Sequence, residues 1–332
     1  MDRIAHADAA ERRLVFEAAA VRLGTTPAVV EKDFWVCYTL EHLFHRCPLS
    51  ELLTFKGGTS LSKAFHLIQR FSEDVDLILD WRALGYGRDE PWDPRSNSAQ
   101  ERFKAEASRR TREYLGDTFV PALEDSLGES LGCEVSVHAG EEPETVWFNY
   151  PRTYESLATL DSIKLEIGPL AAWSPSEEVT IAPYAGSVMP DGSEGFSTTV
   201  RTVSPQRTFW EKVTIVHQEA MRPEGKRMPR RYSRHYYDLY RLGNSPVLEQ
   251  ALDDIALLAR VVEFKEKFYR TPWARLSEAR PGSLRLVPPE FRIEELEADY
   301  QSMTPMLFGE YPMFEEIVRY MGDLEERVNA LS

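Results

Sequence analysis

A glycine-rich turn between an apolar segment and a helical segment places the strongest constraint on the fold of this chain. Residues 52–55, Leu-Leu-Thr-Phe, have the length and composition of a buried strand. Lys56-Gly57-Gly58-Thr59 then predicts a tight turn, and residues 60–68 predict a helix. Two glycines let backbone amides approach an anion with no Cβ in the way, and Ser60 can donate a hydrogen bond to it. Taken alone, the segment is better interpreted as a structural turn, because it has neither the Walker A nor the dinucleotide-binding spacing.

A pair of aspartates one predicted helix after the turn makes a phosphate-binding role for the turn more plausible. Asp74 and Asp76 begin a predicted strand over residues 75–79. Side chains alternate between the two faces of a strand, so residues two apart point the same way. Two carboxylates on one face repel each other, and a divalent cation between them would offset that cost. Oxygen ligands near phosphate favour Mg²⁺. A D-x-D pair by itself is also common on solvated turns.

A third carboxylate is predicted on another strand. Glu166 lies in Ile163-Lys164-Leu165-Glu166-Ile167, where the alternation turns Leu165 and Ile167 to the core. Glu166 is therefore a candidate third metal ligand. An equally good interpretation is a solvated strand residue paired with Lys164.

The layout of glycine turn, helix and D-x-D strand resembles that of polymerase-β-like nucleotidyltransferases. Five segments resemble, more specifically, the AbiEii/AbiGii-type nucleotidyltransferase toxins, with the pairing of glycine turn and D-x-D segment as the most specific part. These segments are E-K-D-F-W-V at 31–36, F-K-G-G-T-S-L at 55–61, R-F-S-E-D-V-D-L at 70–77, F-W-E-K at 209–212 and R-H-Y-Y-D-L at 234–239.

The resemblance implies roles for individual residues. Asp74 and Asp76 would be catalytic and hold the metal, Mg²⁺ or Mn²⁺. Lys212 would contact the nucleoside triphosphate, and Asp238 would complete the active site. The nucleotide-binding turn would consist of Lys56, Gly57, Gly58, Thr59, Ser60 and Ser72. From spacing alone, Lys212 reads as a surface lysine on an amphipathic helix. Asp238 then reads as the partner of Arg234 or Arg241.

One basic stretch, Arg222 to Arg241, interleaves arginines with tyrosines. Such a pattern suits a phosphate backbone and an exposed RNA end. The candidate RNA-binding residues are Arg227, Arg230, Arg231 and Arg234. The alternative is a solvated loop that balances an acidic protein. The net charge of −15 argues against indiscriminate nucleic-acid binding but permits a local basic surface.

The elements predict an α+β fold, a polymerase-β-like nucleotidyltransferase core with a mixed sheet. Residues 1–50 would form a helical cap, 51–203 the core and 204–332 a helical C-terminal domain. In the cap, residues 8–23 predict a helix whose inner face carries Ala10, Leu14, Ala18 and Val21.

The resemblance implies a toxin that transfers a nucleoside monophosphate from an NTP to RNA, with the tRNA 3′ end as acceptor, and that is opposed by a cognate antitoxin protein. The same fold could instead modify a protein or small molecule, or bind nucleotide or RNA without catalysis. Three cysteines without CxxC spacing and no apolar run of membrane-spanning length predict a soluble, cytoplasmic protein with no membrane partner.

Overall fold

The computed structural model describes residues 1–72, 74–142, 144–155, 161–170, 174–189 and 196–331. The chain forms two compact units. The first contains Met1–Ala64 and Ser72–Val203, and the second contains Phe65–Phe71 and Ser204–Ser332. The division into 1–50, 51–203 and 204–332 made from sequence stays a prediction.

The first unit is built around one mixed sheet. Among the described residues it has seven strands: β1 (Leu53–Lys56), β2 (Asp74–Leu79), β3 (Ser136–Ala139), β4 (Thr145–Asn149), β5 (Ile163–Gly168), β6 (Ser176–Ile181) and β7 (Thr198–Val203). They lie side by side in the order β3-β4-β5-β2-β1-β7-β6. The pairs β2–β5 and β1–β7 are parallel, and the remaining pairs are antiparallel. The predicted α+β class with a mixed sheet is therefore confirmed.

Helices of the first unit pack beside this sheet. The α3 helix begins after Thr26, whose side chain accepts a hydrogen bond from the Val29 amide, and Pro27 fits its first turn. The α5 and α6 helices are separated by a wider turn over Leu115–Phe119. The helices are α1 (Asp2–Ala5), α2 (Ala9–Leu23), α3 (Pro27–Glu41), α4 (Gly57–Lys63), α5 (Asn97–Tyr114) and α6 (Val120–Leu131).

The predicted inner face of α2 is wrong. Leu14 and Val21 are 70% and 85% exposed, and the helix instead buries Phe16, Ala19 and Ala20. The Phe16 ring lies 5.8 Å from the ring of Phe34 on α3. The inward face is therefore the one on which Phe16 packs against an aromatic partner.

The second unit is helical in its described residues, and it includes the short segment Phe65–Phe71. That segment is held by backbone hydrogen bonds from the Phe71 amide to Met306 (2.8 Å) and from the Phe308 amide to Gln69 (2.8 Å). The helices are α7 (Pro205–Ala220), α8 (Ser233–Gly243), α9 (Val247–Asp253), α10 (Ile255–Phe268), α11 (Glu290–Met303) and α12 (Phe314–Asn329).

Across the described ranges of both units, no helix is long and apolar enough to cross a membrane.

Candidate active site

Asp74 and Asp76 lie at the start of β2 and share one face of the sheet. Val75 and Leu77, which alternate with them, are fully buried on the other face. The neighbouring strand β5 runs parallel and in register, so that Lys164 lies beside Asp74 and Glu166 beside Asp76. The order of the strands thus brings three acidic residues, predicted separately from sequence, to one surface.

The carboxylate of Glu166 forms an ion pair with a lysine in this structure. The Lys164 ammonium lies 2.7 Å from Glu166 Oε1 and 3.4 Å from Glu142 Oε2. Glu166 is thus the register neighbour of Asp76 and the partner of Lys164, and its role as a metal ligand stays a prediction. Within the described part of the chain, no three His, Cys, Asp or Glu side chains are grouped closely enough to hold a metal ion as they stand.

The glycine turn lies directly against Asp76. Gly57 has φ +80°, a conformation that favours glycine, and a Cβ atom built there would lie 2.0 Å from Asp76 Oδ2. Lys56, the last residue of β1, is the register partner of Asp76 across the antiparallel β1–β2 pair. Lys56, Gly57 and Asp76 are therefore immediate neighbours.

The hydroxyl groups of the turn donate hydrogen bonds to backbone carbonyl oxygens of the turn and of the entry to β2. Thr59 Oγ1 donates to the carbonyl oxygen of Asp74 and, at 3.4 Å, to that of Ser72. Ser60 Oγ donates to the Gly57 carbonyl at 2.8 Å, and Ser60 is fully buried. These contacts fix the entry of β2 against the turn. Glu73, part of the D-x-D segment, lies outside the described residues.

The helix after the turn differs from its prediction. It starts at Gly57 and ends at Lys63, whereas residues 60–68 were expected to be helical. The residues after it, Phe65–Phe71, belong to the second unit, where the backbone of Gln69 and Phe71 bonds to Phe308 and Met306.

The E-K-D segment of α3 is joined by a buried ion pair to the helix that follows the glycine turn. Asp33 Oδ1 lies 2.5 Å from Lys63 Nζ on α4, and Asp33 Oδ2 accepts from the Tyr184 amide at 2.6 Å. Both charged side chains are buried. Burial lowers the pKa of Lys63, but the Asp33 charge outweighs it and the pKa is raised. The pair therefore ties α3 to the helix that follows the glycine turn, a role that the sequence did not reveal.

Glu144 is a further residue that sequence reasoning missed. It precedes β4, has φ +67°, and its carboxylate would lie 3.1 Å from a Cβ on Gly168, which follows Glu166 on the same face. Burial raises the pKa of Glu144, and the charge of Lys56 opposes that rise. No sequence signal indicated its left-handed backbone, which is uncommon for a residue other than glycine.

In the second unit, the carboxylate of Asp238 forms ion pairs with two basic side chains. Arg70 donates to it through Nε (2.7 Å) and Nη2 (2.9 Å), and Lys212 Nζ lies 2.7 Å from Oδ2. Asp238 is fully buried, and Arg70 and Lys212 are 6% and 7% exposed. The interpretations made from spacing, a surface lysine and a pair with Arg234 or Arg241, do not describe this arrangement. Arg70, inside the resembling segment at 70–77, is the partner that sequence reasoning missed.

The pKa values of this cluster follow from burial and charge. Burial alone would raise the pKa of Asp238, but Arg70 and Lys212 lower it well below its usual range. Burial, opposed by Asp238 and assisted by Arg70, lowers the pKa of Lys212. His235 Nδ1 lies 3.5 Å from Lys212 Nζ, and burial and Lys212 hold its pKa well below the ordinary value, so the ring is neutral. Arg70, Lys212 and Asp238 together carry a net charge of about +1.

The four candidate RNA-binding arginines are all exposed on the second unit: Arg227, Arg230, Arg231 and Arg234. Arg234 lies in the first turn of α8, and the loop that bears the other three is held by two residues of α11. The buried guanidinium of Arg292 donates to the carbonyl oxygens of Pro223 (3.3 Å) and Lys226 (3.1 Å). Asp299 accepts from the amides of Arg231 (2.6 Å) and Ser233 (2.9 Å). The arginines therefore project from a fixed backbone.

Comparison with known proteins places these features in a family. The family model of the nucleotidyl transferase AbiEii toxin, of type IV toxin–antitoxin systems, matches residues 39–320. None of the curated proteins matches the chain. Among solved structures, the nucleotidyltransferase toxin MenT4 from Mycobacterium tuberculosis H37Rv is similar at a TM-score of 0.49 and 18% identity, over 97% of this chain and 94% of its own. The assignment depends on the family match, which spans most of the chain.

Proposed function

Because this chain belongs to the AbiEii family of nucleotidyltransferase toxins, we propose that it transfers a nucleoside monophosphate from an NTP to an RNA acceptor, the 3′ end of a tRNA. The hydroxyl oxygen of the acceptor attacks the α-phosphorus, a new P–O bond forms, and pyrophosphate leaves. Modification of tRNA would stop growth, and a cognate antitoxin protein would oppose it. Both NTPs and tRNA are cytoplasmic, so the proposed reaction takes place there.

The observation that carries the proposal is the contact between the glycine turn and Asp76. With Gly57 against that carboxylate, the backbone of the turn passes next to the acidic face of β2, and we propose that its amides bind phosphate there. Phosphate groups held by those amides would lie beside the two aspartates. Phosphoryl transfer depends mainly on positioning and on neutralising charge, and this arrangement provides for both.

The donor chemistry at this face fits a magnesium or manganese ion. Asp74 and Asp76 offer carboxylate oxygens on one side of a strand, and Glu166 is the register neighbour that supplies a third. We propose Asp74 and Asp76 as the metal ligands, with Glu166 joining them. The bound ion would polarise the α-phosphate and lower the pKa of the attacking hydroxyl.

The protein's own residues would hold the nucleotide. The turn at Lys56–Ser60 would bind the phosphates through its amides and the Lys56 ammonium, with Ser72 lining the same turn. The hydroxyls of Thr59 and Ser60 maintain its shape through the contacts described above. In the second unit we assign triphosphate binding to Lys212, with Asp238 and Arg70 fixing the lysine. The net positive charge of that cluster supports this assignment.

The acceptor would bind the exposed arginines of the second unit. They project from an anchored loop and from the first turn of α8, and would neutralise RNA phosphates: Arg227, Arg230, Arg231 and Arg234. A local surface of this kind allows RNA binding by a protein whose net charge is −15.

The proposal is tested by incubating the purified protein with each of the four NTPs labelled at the α-phosphate, Mg²⁺, and total RNA. We expect label in an RNA band of tRNA size with at least one nucleotide. Label in protein or in a small solute would identify a different acceptor for the same chemistry. Absence of labelled product with every nucleotide and acceptor fraction, from protein shown to be folded, would contradict the proposal.

A further inference from the structure

A lysine lies among the carboxylates of the acidic face. Lys164 is the register partner of Asp74, and it precedes Glu166 by two residues on β5, so all three side chains share one face with Asp76. The other face is apolar, since Leu165 and Ile167 are fully buried there. Lys164 therefore lies beside the residues to which we assign metal binding.

Every charged contact of Lys164 that the structure shows is with an acid. Its ammonium is 2.7 Å from Glu166 Oε1 and 3.4 Å from Glu142 Oε2. The side chain is only 16% exposed, and its ammonium lies 5.9 Å from the ring centre of Trp147. Burial alone would lower the pKa of Lys164, but Glu166, Asp74 and Glu142 raise it, so the ammonium stays charged.

The direction of the Glu166 side chain follows from this ion pair. Glu166 lies directly beside Asp76 in the sheet, yet its carboxylate is bound by the lysine two residues earlier on its own strand. This explains why, among the described residues, the acids of this face do not form a group of three ligands. A bound cation and Lys164 would compete for the same carboxylate.

We propose that Lys164 is a built-in counter-ion of the metal site, which holds Glu166 in the metal-free protein and releases it when a divalent cation binds. The inference rests on the proposed function, because it takes Asp74 and Asp76 as metal ligands. Lys164 offsets the repulsion among carboxylates on one strand pair and thereby stabilises the metal-free fold. It also weakens metal binding, by repelling the cation and by occupying a ligand.

The experiment measures metal binding directly, without turnover. Mn²⁺ binding to the full chain is followed by the loss of the free-ion EPR signal, and the Mg²⁺-induced rise in melting temperature is measured in parallel. Lys164→Met removes the ammonium, Lys164→Gln removes it but keeps a polar side chain, and Lys164→Arg keeps the charge. Lys104→Met, which breaks an ion pair with Glu101 on α5, is the control for net charge.

We expect Lys164→Met and Lys164→Gln to bind Mn²⁺ about tenfold more tightly than wild type, the effect of removing one charge several ångströms from a divalent ion. Their melting temperatures without metal should fall, and Mg²⁺ should raise them by more. Lys164→Arg and Lys104→Met should bind Mn²⁺ as wild type does. Unchanged or weaker binding by both neutral variants would overturn the role of Lys164.

Asp76→Asn separates this inference from the function on which it rests. Suppose that Asp76→Asn loses Mn²⁺ binding while the Lys164 variants bind as wild type does. The proposed metal ligands are then supported, and the counter-ion role of Lys164 is rejected. If Asp76→Asn binds Mn²⁺ as wild type does, the metal site itself is wrong, and both proposals fall. A raised KM for NTP in Lys164→Met with unchanged Mn²⁺ binding would make Lys164 a phosphate contact instead and would also overturn the inference.

Discussion

A Cβ atom on Gly57 would lie 2.0 Å from Oδ2 of Asp76, so the glycine turn and the D-x-D strand touch at a point where only glycine fits. The backbone of Gly57, at φ +80°, also favours glycine. Two requirements, space and backbone conformation, thus meet at one residue. The glycine turn and the D-x-D strand are therefore in direct contact and make up a single candidate site.

Gly57→Ala should therefore disrupt the active site. The methyl group would displace the Asp76 carboxylate, and we expect transfer activity to fall about 100-fold or more, since misplacement by an ångström has such effects. The strained backbone should lower the free energy of unfolding by about 1–3 kcal/mol. Gly24→Ala is the control, because Gly24 has φ +66° and open space around its Cβ position. It should lose stability but keep activity; equal losses of activity in both variants would contradict the account.

The cluster at Asp238 predicts an order of stabilities. Asp238→Asn leaves Arg70 and Lys212 buried without their shared carboxylate, and should destabilise the protein by about 3–5 kcal/mol. Lys212→Met leaves the Arg70–Asp238 pair intact and should change stability by less than about 1 kcal/mol. Arg70→Met should fall between them, since it removes two of the hydrogen bonds to Asp238. Urea denaturation of the three variants measures this order.

Lys212→Met also distinguishes function from folding. It should keep stability and lose activity mainly through a higher KM for NTP, because the lost ammonium is assigned to the triphosphate. A Lys212→Met protein that is as stable and as active as wild type would show that Lys212 does not bind nucleotide.

His42 predicts how stability depends on pH. It is fully buried, with Nδ1 3.1 Å from Ser126 Oγ. Burial, assisted by the Arg46 charge, lowers its pKa from 6.5 to about 4. The folded state therefore favours the neutral ring, and this contribution is present above pH 6.5 and is lost as the pH falls toward 4.

Unfolding by urea at a series of pH values tests this effect. His42→Gln should show a smaller loss of stability between pH 6.5 and 4 than wild type does. His138→Gln, at an exposed position on β3, should keep the wild-type slope. An identical slope in His42→Gln and wild type would assign the pH dependence to other groups.

We expect RNA binding through the exposed arginines between Arg227 and Arg234 to depend on salt. Arg230→Ser combined with Arg234→Ser should weaken tRNA binding and reduce the slope of log K against log salt by about one to two units, as two phosphate contacts are lost. The KM for NTP should stay near its wild-type value. Arg260→Ser combined with Arg280→Ser removes the same charge from exposed positions in the same unit. If the two double variants bind tRNA equally, the acceptor does not contact Arg230 and Arg234.

Local patterns in the sequence were enough to predict the strands that carry Asp74, Asp76 and Glu166. Alternation determines which way a strand side chain points, and the neighbours Val75, Leu165 and Ile167 are fully buried as that rule requires. Alternation does not show which strands are adjacent. The register of Asp76 beside Glu166 became visible only from the order of the strands in the sheet.

Pairings between distant residues could not be predicted from spacing. Arg70 and Asp238 are 168 residues apart, and Asp33 pairs with Lys63 across two elements. For the α2 helix the sequence predicted one apolar face, and the face that is buried is instead the one on which Phe16 contacts Phe34. In each case the deciding partner lies far along the chain or on another element, where a periodic pattern carries no information.

The most direct test of the central claim compares wild type, Asp76→Asn and Asp117→Asn in transfer of α-labelled nucleotide to tRNA, over a range of Mg²⁺ concentrations. Asp117, in the wide turn after α5, is an exposed acid outside the proposed site. We expect wild type and Asp117→Asn to transfer label in a Mg²⁺-dependent manner. Folded Asp76→Asn should be at least about 1,000-fold slower, as expected when a charged group of the transition state is lost. Transfer by Asp76→Asn at the wild-type rate would contradict the account.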